Sequence, residues 1–193
     1  MSATLLHAAD RVATPWKNGG GVTREVTVWP PGAGFGDFHW RVSMAEVRVD
    51  GPFSMFPGVD RILAVLEGRL ALAVAPFGEF DLSPTGAPAA FPGDAPATAR
   101  VLEGPVLDLN LMARRGVAHA TLDRLQVGAP QTLEAVVGHR LVIATGGALR
   151  VVAGDQAHEL APLDAVLFGS GDGPLRLEAN RSTPTHLVRV RIL

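Results

Sequence analysis

The chain contains no cysteine and no tyrosine, and only 6% of its 193 residues are aromatic. The lack of cysteine excludes disulfide bonds, thiol catalysis and thiolate metal ligands, and it fits a reducing compartment. Basic residues are also few: 17 Lys and Arg stand against 19 Asp and Glu, without a basic run, so there is no electrostatic footprint for nucleic acid. The first ten residues do not combine a basic segment with a long apolar stretch, and no apolar run elsewhere is long enough to span a bilayer. We therefore expect a cytoplasmic protein with no nucleic-acid or membrane partner.

The hydrophobic set makes up 47% of the chain and charged residues 19%, which is enough apolar surface for a packed core. Most candidate elements are short, rich in Val, Leu and Ile, and bounded by Gly, Pro or Asp, a pattern typical of an all-β protein. The predicted strands are Val22 to Trp29, His39 to Val49, Ile62 to Glu67, Arg69 to Pro76, Thr98 to Leu102, Val106 to Met112, Arg140 to Thr145, Leu149 to Ala153, Ala165 to Gly169, Leu175 to Ala179 and Thr185 to Ile192.

The two halves of the sequence resemble each other weakly. The segment Val65 to Leu72 is similar to Ile143 to Val151, and each is followed by a polar turn and a Gly-Asp or Leu-Asp step. This repeat predicts two related β-barrels in tandem, packed as one body. We place the boundary near Arg114, which gives an N-terminal half of residues 1–114 and a C-terminal half of residues 115–193.

A glycine triplet, Gly19-Gly20-Gly21, lies between Trp16-Lys17-Asn18 and the strand-like segment Val22 to Glu25. Three glycines allow the backbone to approach a ligand or another strand closely. The spacing matches no phosphate-binding loop. Three interpretations remain open here: a ligand-binding surface, a structural turn or bulge, and a strand that pairs with a second protomer in a homodimer.

Several motifs together resemble the HutD/Ves family of the cupin superfamily. They are Pro15 to Glu25, Trp40 to Val47, Asp50 to Arg61, Phe91 to Asp94 and Asp108 to Met112, in order over about the first 115 residues. The resemblance implies a bicupin, with two jelly-roll-like β-barrel halves packed together. It also implies an association with bacterial histidine utilisation, in a non-enzymatic role of sensing or limiting an intermediate such as N-formimino-glutamate or a related glutamate derivative.

Many cupins bind a metal through two histidines and a glutamate at fixed spacing, and this chain departs from that pattern. With the motif anchored on Gly68, Arg61 stands at the glutamate position and the histidine positions fall within Ser54 to Pro57. The second motif places its histidine near Gly104. A guanidinium group repels a cation, and the six histidines show no ligand spacing. We expect no metal and no other cofactor.

The cupin layout instead predicts a small anionic metabolite as the ligand. Arginine binds carboxylates bidentately. Arg61 stands at the position of a cupin metal ligand, and Arg24 and Arg41 are placed on neighbouring predicted strands. Alternation along the last strand of the N-terminal half puts Asp108, Asn110 and Met112 on one face. Lys17 and Asn18 could close the pocket mouth. The predicted apolar walls are Trp16, Trp40, Phe53, Phe56 and Met112.

A different interpretation of the arginines is structural. Arg61 could pair with Asp60, Glu67 or Asp108, and Arg41 with Glu46, as ordinary ion pairs. The enzyme question is also open: a metal-free isomerase, epimerase or amide hydrolase would need an acid or base against the arginines, for which Asp108 and Glu46 are the candidates. We favour a binding protein and assign no catalytic residue.

Overall fold

The computed structural model describes residues 3–16 and 19–193 of the chain. Over these residues the protein is all-β, as expected, with one short 3-10 helix at Ala8–Asp10 and no helix long and apolar enough to cross a membrane. The strands are β1 Thr4–Leu6, β2 Ala13–Pro15, β3 Gly21–Trp29, β4 Trp40–Val47, β5 Gly51–Pro52, β6 Val59–Val74, β7 Gly78–Leu82, β8 Ala89–Pro92, β9 Ala97–Arg114, β10 Ala118–Val127, β11 Gln131–Leu133, β12 His139–Ala144, β13 Leu149–Ala153, β14 Gln156–Leu160, β15 Ala165–Phe168, β16 Leu175–Glu178 and β17 Thr183–Ile192.

The chain divides into two compact units. The N-terminal unit comprises Val12–His119, and the C-terminal unit comprises Ala120–Ile192 together with the N-terminal segment as far as Arg11. The segment before Arg11 belongs to the C-terminal unit because β1 pairs antiparallel with β15, with Leu5 opposite Val166. Asp164 reinforces this pairing by accepting hydrogen bonds from the backbone N–H groups of Ala8 at 2.7 Å and Ala161 at 3.2 Å.

The N-terminal unit is built on one sheet of eight strands, with the order β2-β3-β4-β9-β6-β7, in which β5 pairs with β9 and β8 with β6. The long strands β6 and β9 are neighbours in this sheet. One face of this sheet carries an apolar core to which Leu63, Val65, Leu70 and Leu72 contribute from β6. Residues at alternate positions of a strand share a face, so Arg61 lies on the same face of β6 as Leu63.

The C-terminal unit contains a five-stranded sheet, β1-β15-β12-β17-β10, and a four-stranded sheet, β11-β16-β13-β14. Its core is a cluster of twelve buried hydrophobic residues, among them Val142, Val151, Phe168 and Leu177. In the described part of the chain, none of the three sheets closes on itself in strand order.

The strand boundaries differ from the sequence prediction at two places. The segments predicted as Ile62 to Glu67 and Arg69 to Pro76 form the single strand β6, and Thr98 to Leu102 and Val106 to Met112 form the single strand β9. The ladder passes through register shifts around Glu67 and Arg69, where Gly68 has φ +76°. A glycine inside a strand accommodates such a bulge, whereas the sequence alone suggested a turn.

Among the described residues, eight strands were not predicted: β1, β2, β5, β7, β8, β10, β11 and β14. Most of them are short, and several carry polar side chains, as in Gln156–Leu160. The ten-residue strand β10 includes Asp123 and Arg124 and lacks a continuous apolar run. Pairing with neighbouring strands stabilises these segments more than their local β-propensity does.

The third glycine of the triplet has a packing role within the chain. A Cβ atom at Gly21 would lie 2.5 Å from the Glu46 carbonyl oxygen and 3.1 Å from the Trp16 ring. We expect Gly21→Ala to lower the free energy of unfolding by about 1.5 kcal/mol, because the backbone of β4 must shift to admit the methyl group.

Chemical denaturation of Gly21→Ala and of Gly36→Ala tests this role. A methyl group added at Gly36 would have no neighbouring atom within 4 Å, and the φ angle of Gly36 is not left-handed, so its substitution should leave stability nearly unchanged. Equal stability of the two variants would contradict the close approach at Gly21.

Candidate functional site

A row of polar side chains crosses three central strands of the N-terminal unit. Arg41 on β4 and Arg61 on β6 lie opposite Met112 of β9, one on each side. Two residues further along β4, Ser43 lies opposite Asn110, and two residues beyond Ser43, Ala45 lies opposite Asp108. Cross-strand partners share a face, so these side chains project together. We call this set the polar cluster: Arg41, Ser43, Arg61, Asp108 and Asn110.

The polar cluster is buried. The exposed fraction is 9% for Arg41 and Asn110, 5% for Arg61 and 2% for Ser43 and Asp108. Burying charged groups is costly unless their hydrogen-bonding capacity is satisfied. The contacts of each member therefore decide whether the cluster is structural or is built to receive a ligand.

Arg61 has weak polar partners. Its Nε donates to Asn110 Oδ1 at 3.4 Å and its Nη1 to the Ser54 carbonyl at 3.3 Å, both long for N–H···O hydrogen bonds. Among residues 3–16 and 19–193, no carboxylate lies within ion-pair distance of this guanidinium. Burial lowers the pKa of Arg61 to about 10, opposed by the charge of Asp108 and assisted by that of Arg41.

Three phenylalanine rings surround the Arg61 guanidinium. Its central carbon lies 5.1 Å from the ring centre of Phe91, 5.3 Å from that of Phe53 and 5.6 Å from that of Phe56. Cation–π contacts at these distances stabilise a desolvated cation. The rings contact the guanidinium group but accept no conventional hydrogen bond, so most of the N–H donors of Arg61 have no strong acceptor.

Arg41 is partnered more fully than Arg61. Its Nε donates to Glu25 Oε2 at 2.8 Å and its Nη1 to Ser43 Oγ at 3.3 Å. The ring of Phe35 lies 5.0 Å from its guanidinium and 5.6 Å from the ring of Phe56. Phe35 is 62% exposed, and Arg114 fixes its loop by donating to the carbonyls of residues 35, 36 and 38. This loop borders the polar cluster on the solvent side.

Asp108 is the buried acid of the cluster. Its Oδ1 has no hydrogen-bond partner within the described part of the chain. Burial raises the pKa of Asp108 to about 7, against the opposing effects of Arg61 and of a hydrogen bond with the Ala45 backbone. A buried acceptor without a donor destabilises the fold.

The raised pKa of Asp108 predicts a pH dependence of stability. An aspartate in the unfolded chain ionises near pH 3.9, whereas folded Asp108 keeps its proton up to about pH 7. Between these values the folded state binds more protons, so stability falls as pH rises. From pH 6 to pH 8 this group alone should lower the free energy of unfolding by about 1.4 kcal/mol.

Comparison with Asp108→Asn isolates this contribution, because other titrating groups are common to both proteins. Burial lowers the pKa of His186 to about 4 in the folded protein, whereas a histidine in the unfolded chain titrates near 6.5, and this contribution is the same in both proteins. Parallel pH profiles for the wild type and Asp108→Asn in urea denaturation would show that Asp108 titrates normally.

The C-terminal unit contains an arginine in a corresponding place. Arg140 on β12 lies opposite Phe168 of β15, just as Arg61 on β6 lies opposite Phe91 of β8. Arg140 is 1% exposed, and its guanidinium carbon lies 6.0 Å from the ring centre of Phe168. The two units therefore share a buried arginine against a cross-strand phenylalanine.

The hydrogen bonds of the two arginines differ. The Nη2 atom of Arg140 donates to the carbonyls of Asp172 at 2.8 Å and Gly173 at 2.5 Å, and its Nη1 donates to Glu134 O at 3.1 Å. Both terminal nitrogens of Arg140 thus donate hydrogen bonds to main-chain oxygens. Arg61 has a single contact of this kind, the longer one to Ser54.

The structure brings together part of the predicted site. Arg41, Arg61, Asp108, Asn110 and Met112 share one face, and Phe53 and Phe56 contact Arg61. Trp16 packs edge-on against Phe53 at 6.3 Å, and its indole N–H donates to Thr23 Oγ1 at 2.8 Å. Lys17 and Asn18 lie outside the described residues.

Arg24 and Trp40 do not join this set. Arg24 lies opposite Met44 and therefore shares its face of the sheet. Trp40 is four residues before Met44 on β4, so it lies on that face too, and both residues project away from Arg41 and Ser43. The same alternation places Glu46, which pairs with Arg48 at 2.5 Å, on that opposite face. We therefore leave Arg24 and Trp40 out of the candidate site, and Glu46 cannot act as an acid or base there.

Sequence reasoning missed Glu25, Phe35, Ser43 and Phe91. Ser43 is two residues from Arg41, and Phe91 belongs to the Phe91 to Asp94 motif, so alternation and motif position could have identified both. Glu25 ends the glycine motif, but only the register that places it opposite Ser43 brings it near Arg41. Phe35 lies in a loop and gives no periodic signal.

The polar cluster does not fit a divalent metal ion. Two guanidinium groups, those of Arg41 and Arg61, project from the same face of the sheet as its one carboxylate, Asp108, and positive charges placed there oppose the binding of a metal cation. Among the residues described, no group of three or more His, Asp or Glu side chains is arranged to hold a metal.

Solved structures with this architecture define the fold class. The E. coli protein YlbA matches with a TM-score of 0.75 at 11% identity over 98% of this chain and 90% of its own. Oxalate decarboxylase matches with a TM-score of 0.69 at 10% identity over 99% of this chain and 78% of its own. At such low identity these likenesses show the fold alone, which is that of a cupin-like β protein.

The model of the HutD family matches residues 8–186, so the chain belongs to the HutD family. The structure of HutD from Pseudomonas fluorescens SBW25, obtained in a formate condition, matches with a TM-score of 0.86 at 28% identity over the whole of both chains. A conserved protein of unknown function from Pseudomonas aeruginosa PAO1 matches with a TM-score of 0.91 at 29% identity, over 99% of this chain and 100% of the other.

Two curated relatives align with part of the chain. Protein Ves of Citrobacter koseri is 40% identical over 101 residues, 52% of each chain. A 21.2 kDa protein encoded in the hutC 3' region of Pseudomonas putida is 40% identical over 117 residues, 56% of each chain. The chain therefore spans about half the length of the curated relatives it matches.

Proposed function

We propose that the protein binds a small carboxylate metabolite in the polar cluster of its N-terminal unit, without a metal. The observation that carries this proposal is the contrast between two buried arginines. Arg140 has carbonyl oxygens on both terminal nitrogens, whereas Arg61 has only contacts of 3.3 and 3.4 Å. A buried guanidinium group requires acceptors, and a ligand carboxylate would supply them to Arg61.

The contacts of Arg140 suggest the form of the missing partner. Main-chain oxygens accept hydrogen bonds from its two terminal nitrogens. A carboxylate bound bidentately by arginine uses the same edge of the guanidinium group. In the proposed complex a planar carboxylate binds this edge of Arg61. The three rings around Arg61 exclude water and strengthen the pairing.

The rest of the cluster supports a ligand that also bears nitrogen. Asp108 Oδ1 lacks a donor among the described residues, and the amide of Asn110 can both donate and accept. A glutamate derivative carrying an N–H group, such as N-formimino-glutamate, offers a carboxylate to Arg61 and a donor to Asp108. The Pseudomonas putida relative from the hutC 3' region supports a regulatory or sequestering role in histidine utilisation.

In this proposal the protein is a cytoplasmic bicupin with one jelly-roll-like barrel in each half, divided near residue 114. The N-terminal half binds the ligand at Arg61. In the C-terminal half, main-chain oxygens of the same half already occupy the corresponding arginine, Arg140. Association into a homodimer is compatible with this arrangement.

Calorimetric titration of EDTA-treated protein tests the proposed function. The panel is N-formimino-glutamate, N-formyl-glutamate, glutamate, urocanate and a neutral sugar. Selective binding of the acyclic carboxylates without metal supports the proposal. Absence of binding across the panel, or binding that requires added metal, contradicts it.

A metal-free enzyme is the second candidate, because Asp108 has a pKa of about 7. A carboxyl group with such a pKa suits general acid–base catalysis at neutral pH. In an isomerase, epimerase or amide hydrolase of this kind, Arg61 would bind the substrate and Asp108 would transfer the proton. Following the bound compounds by NMR over hours distinguishes turnover from binding, and loss of turnover in Asp108→Asn would identify the acid.

A further inference from the structure

Glu25, the ion-pair partner of Arg41, affects which ligands the proposed site selects, an inference that rests on the proposed function. Glu25 Oε2 accepts from Arg41 Nε at 2.8 Å, and the Glu25 side chain is 46% exposed whereas that of Arg41 is 11% exposed. The carboxylate thus approaches a buried cation from the solvent side. An exposed carboxylate in such a pair is held weakly, because water competes for it.

Arg41 and Arg61 are placed to bind two carboxylates of one molecule. Both lie opposite Met112, from either side of β9, so two strand spacings separate their Cα atoms by about 10 Å. The guanidinium groups extend from these positions over the same face. Their mutual repulsion, which contributes to the lowered pKa of Arg61, is relieved when each cation has its own anion.

We infer that Glu25 is an internal competitor that occupies Arg41 in the ligand-free protein and is displaced by the second carboxylate of a dicarboxylate ligand. The first carboxylate of the ligand binds Arg61, whose place is not taken by any carboxylate of the described chain. Glu25 therefore sets the preference between monocarboxylates and dicarboxylates. A monocarboxylate binds Arg61 and leaves the Glu25–Arg41 pair intact.

The test compares glutarate with valerate, which have the same five-carbon chain and differ by one carboxylate. Removing the competitor in Glu25→Gln should strengthen glutarate binding more than valerate binding, and the ratio of the two affinities should rise about fivefold. This size corresponds to the loss of an exposed ion pair of roughly 1 kcal/mol. Calorimetric titration of both ligands into both proteins gives the ratio.

Glu46→Gln is the matched control. Glu46 lies on the neighbouring strand, projects to the opposite face and pairs with Arg48, so its substitution removes the same charge without changing the site. The ratio should stay at the wild-type value in this variant. An equal rise of the ratio in both variants would mean that general charge, and not competition at Arg41, controls selection.

Two failures are distinguishable. If valerate and glutarate bind the wild type in an Arg61-dependent manner and Glu25→Gln leaves their ratio unchanged, the competitor role is wrong and the proposed function stands. If neither acid binds the wild type nor Glu25→Gln, and the wider panel of carboxylates fails as well, the proposed function is wrong and the role of Glu25 falls with it.

Discussion

Replacing Arg61 with alanine should weaken carboxylate binding by about 1.5 to 3 kcal/mol, which is roughly a 10- to 150-fold rise in Kd. The reason is that Arg61 is the buried cation of the polar cluster that no carboxylate of residues 3–16 and 19–193 pairs with. Calorimetric titration of the variant with the best ligand of the panel measures the effect. Arg61→Lys should recover only part of the affinity, since an ammonium group lacks the bidentate fork.

The matched control for Arg61→Ala is Arg24→Ala. Arg24 lies in the same sheet but projects to the opposite face, because it is paired with Met44. Its removal changes the net charge equally and should leave Kd within twofold, roughly the error of additivity for distant sites. Unchanged affinity in folded Arg61→Ala, or an equal loss in Arg24→Ala, would contradict the placement of the ligand.

Replacing Arg140 with methionine should lower the free energy of unfolding by about 2 to 4 kcal/mol and leave ligand affinity unchanged. The variant deprives the carbonyls of Glu134, Asp172 and Gly173 of their donor. These bonds connect the segment before β12 with the turn before β16. Urea denaturation reports the stability loss, and titration of the folded variant reports the affinity.

Arg189→Ala is the control for this second prediction. Arg189 lies directly opposite Arg140 on β17, but its side chain is 44% exposed and pairs with Asp123 at 2.6 Å. An exposed pair of this kind contributes at most about 1 kcal/mol. A stability loss in Arg140→Met no larger than that in Arg189→Ala would show that the carbonyl contacts of Arg140 do not stabilise the C-terminal unit.

The two variants together test the asymmetry between the units. Arg61 and Arg140 have corresponding strand pairings and ring contacts, so a purely structural role for both predicts that each substitution costs stability. The binding proposal predicts that Arg61 affects affinity and Arg140 affects stability. The chemical difference between them is the number and length of their contacts with main-chain oxygens.

Some of the candidate site could be predicted from the sequence because strand alternation is a local property. Asp108, Asn110 and Met112 share a face for that reason, and the register with β4 and β6 agrees. The placement of Trp40 away from Arg41 follows from the same rule, and adjacent residues should not have been assigned to one pocket. Alternation does not reveal the structural role of Gly21, because that role depends on the approach of Glu46 and Trp16 in the folded chain.

The remaining errors come from register, which a single sequence does not specify. Arg24 and Arg41 lie on neighbouring strands, yet the pairing of Arg24 with Met44 turns them to opposite faces. The same pairing brings Glu25 beside Ser43 and hence to Arg41. The continuous strands β6 and β9 were predicted as four pieces because Gly68 and Gly104 are typical turn residues, although the long-range ladder continues past them.

The most direct test of the account is a crystal structure of the metal-free protein with glutarate, at a concentration well above its measured Kd. We expect one glutarate in the N-terminal unit, with one carboxylate on Arg61, the other on Arg41, and Glu25 released from Arg41. We also expect Arg140 to keep its hydrogen bonds to main-chain oxygens and to bind no ligand. Glutarate bound elsewhere, or Arg61 without a carboxylate at full occupancy of the ligand, would contradict the central claim.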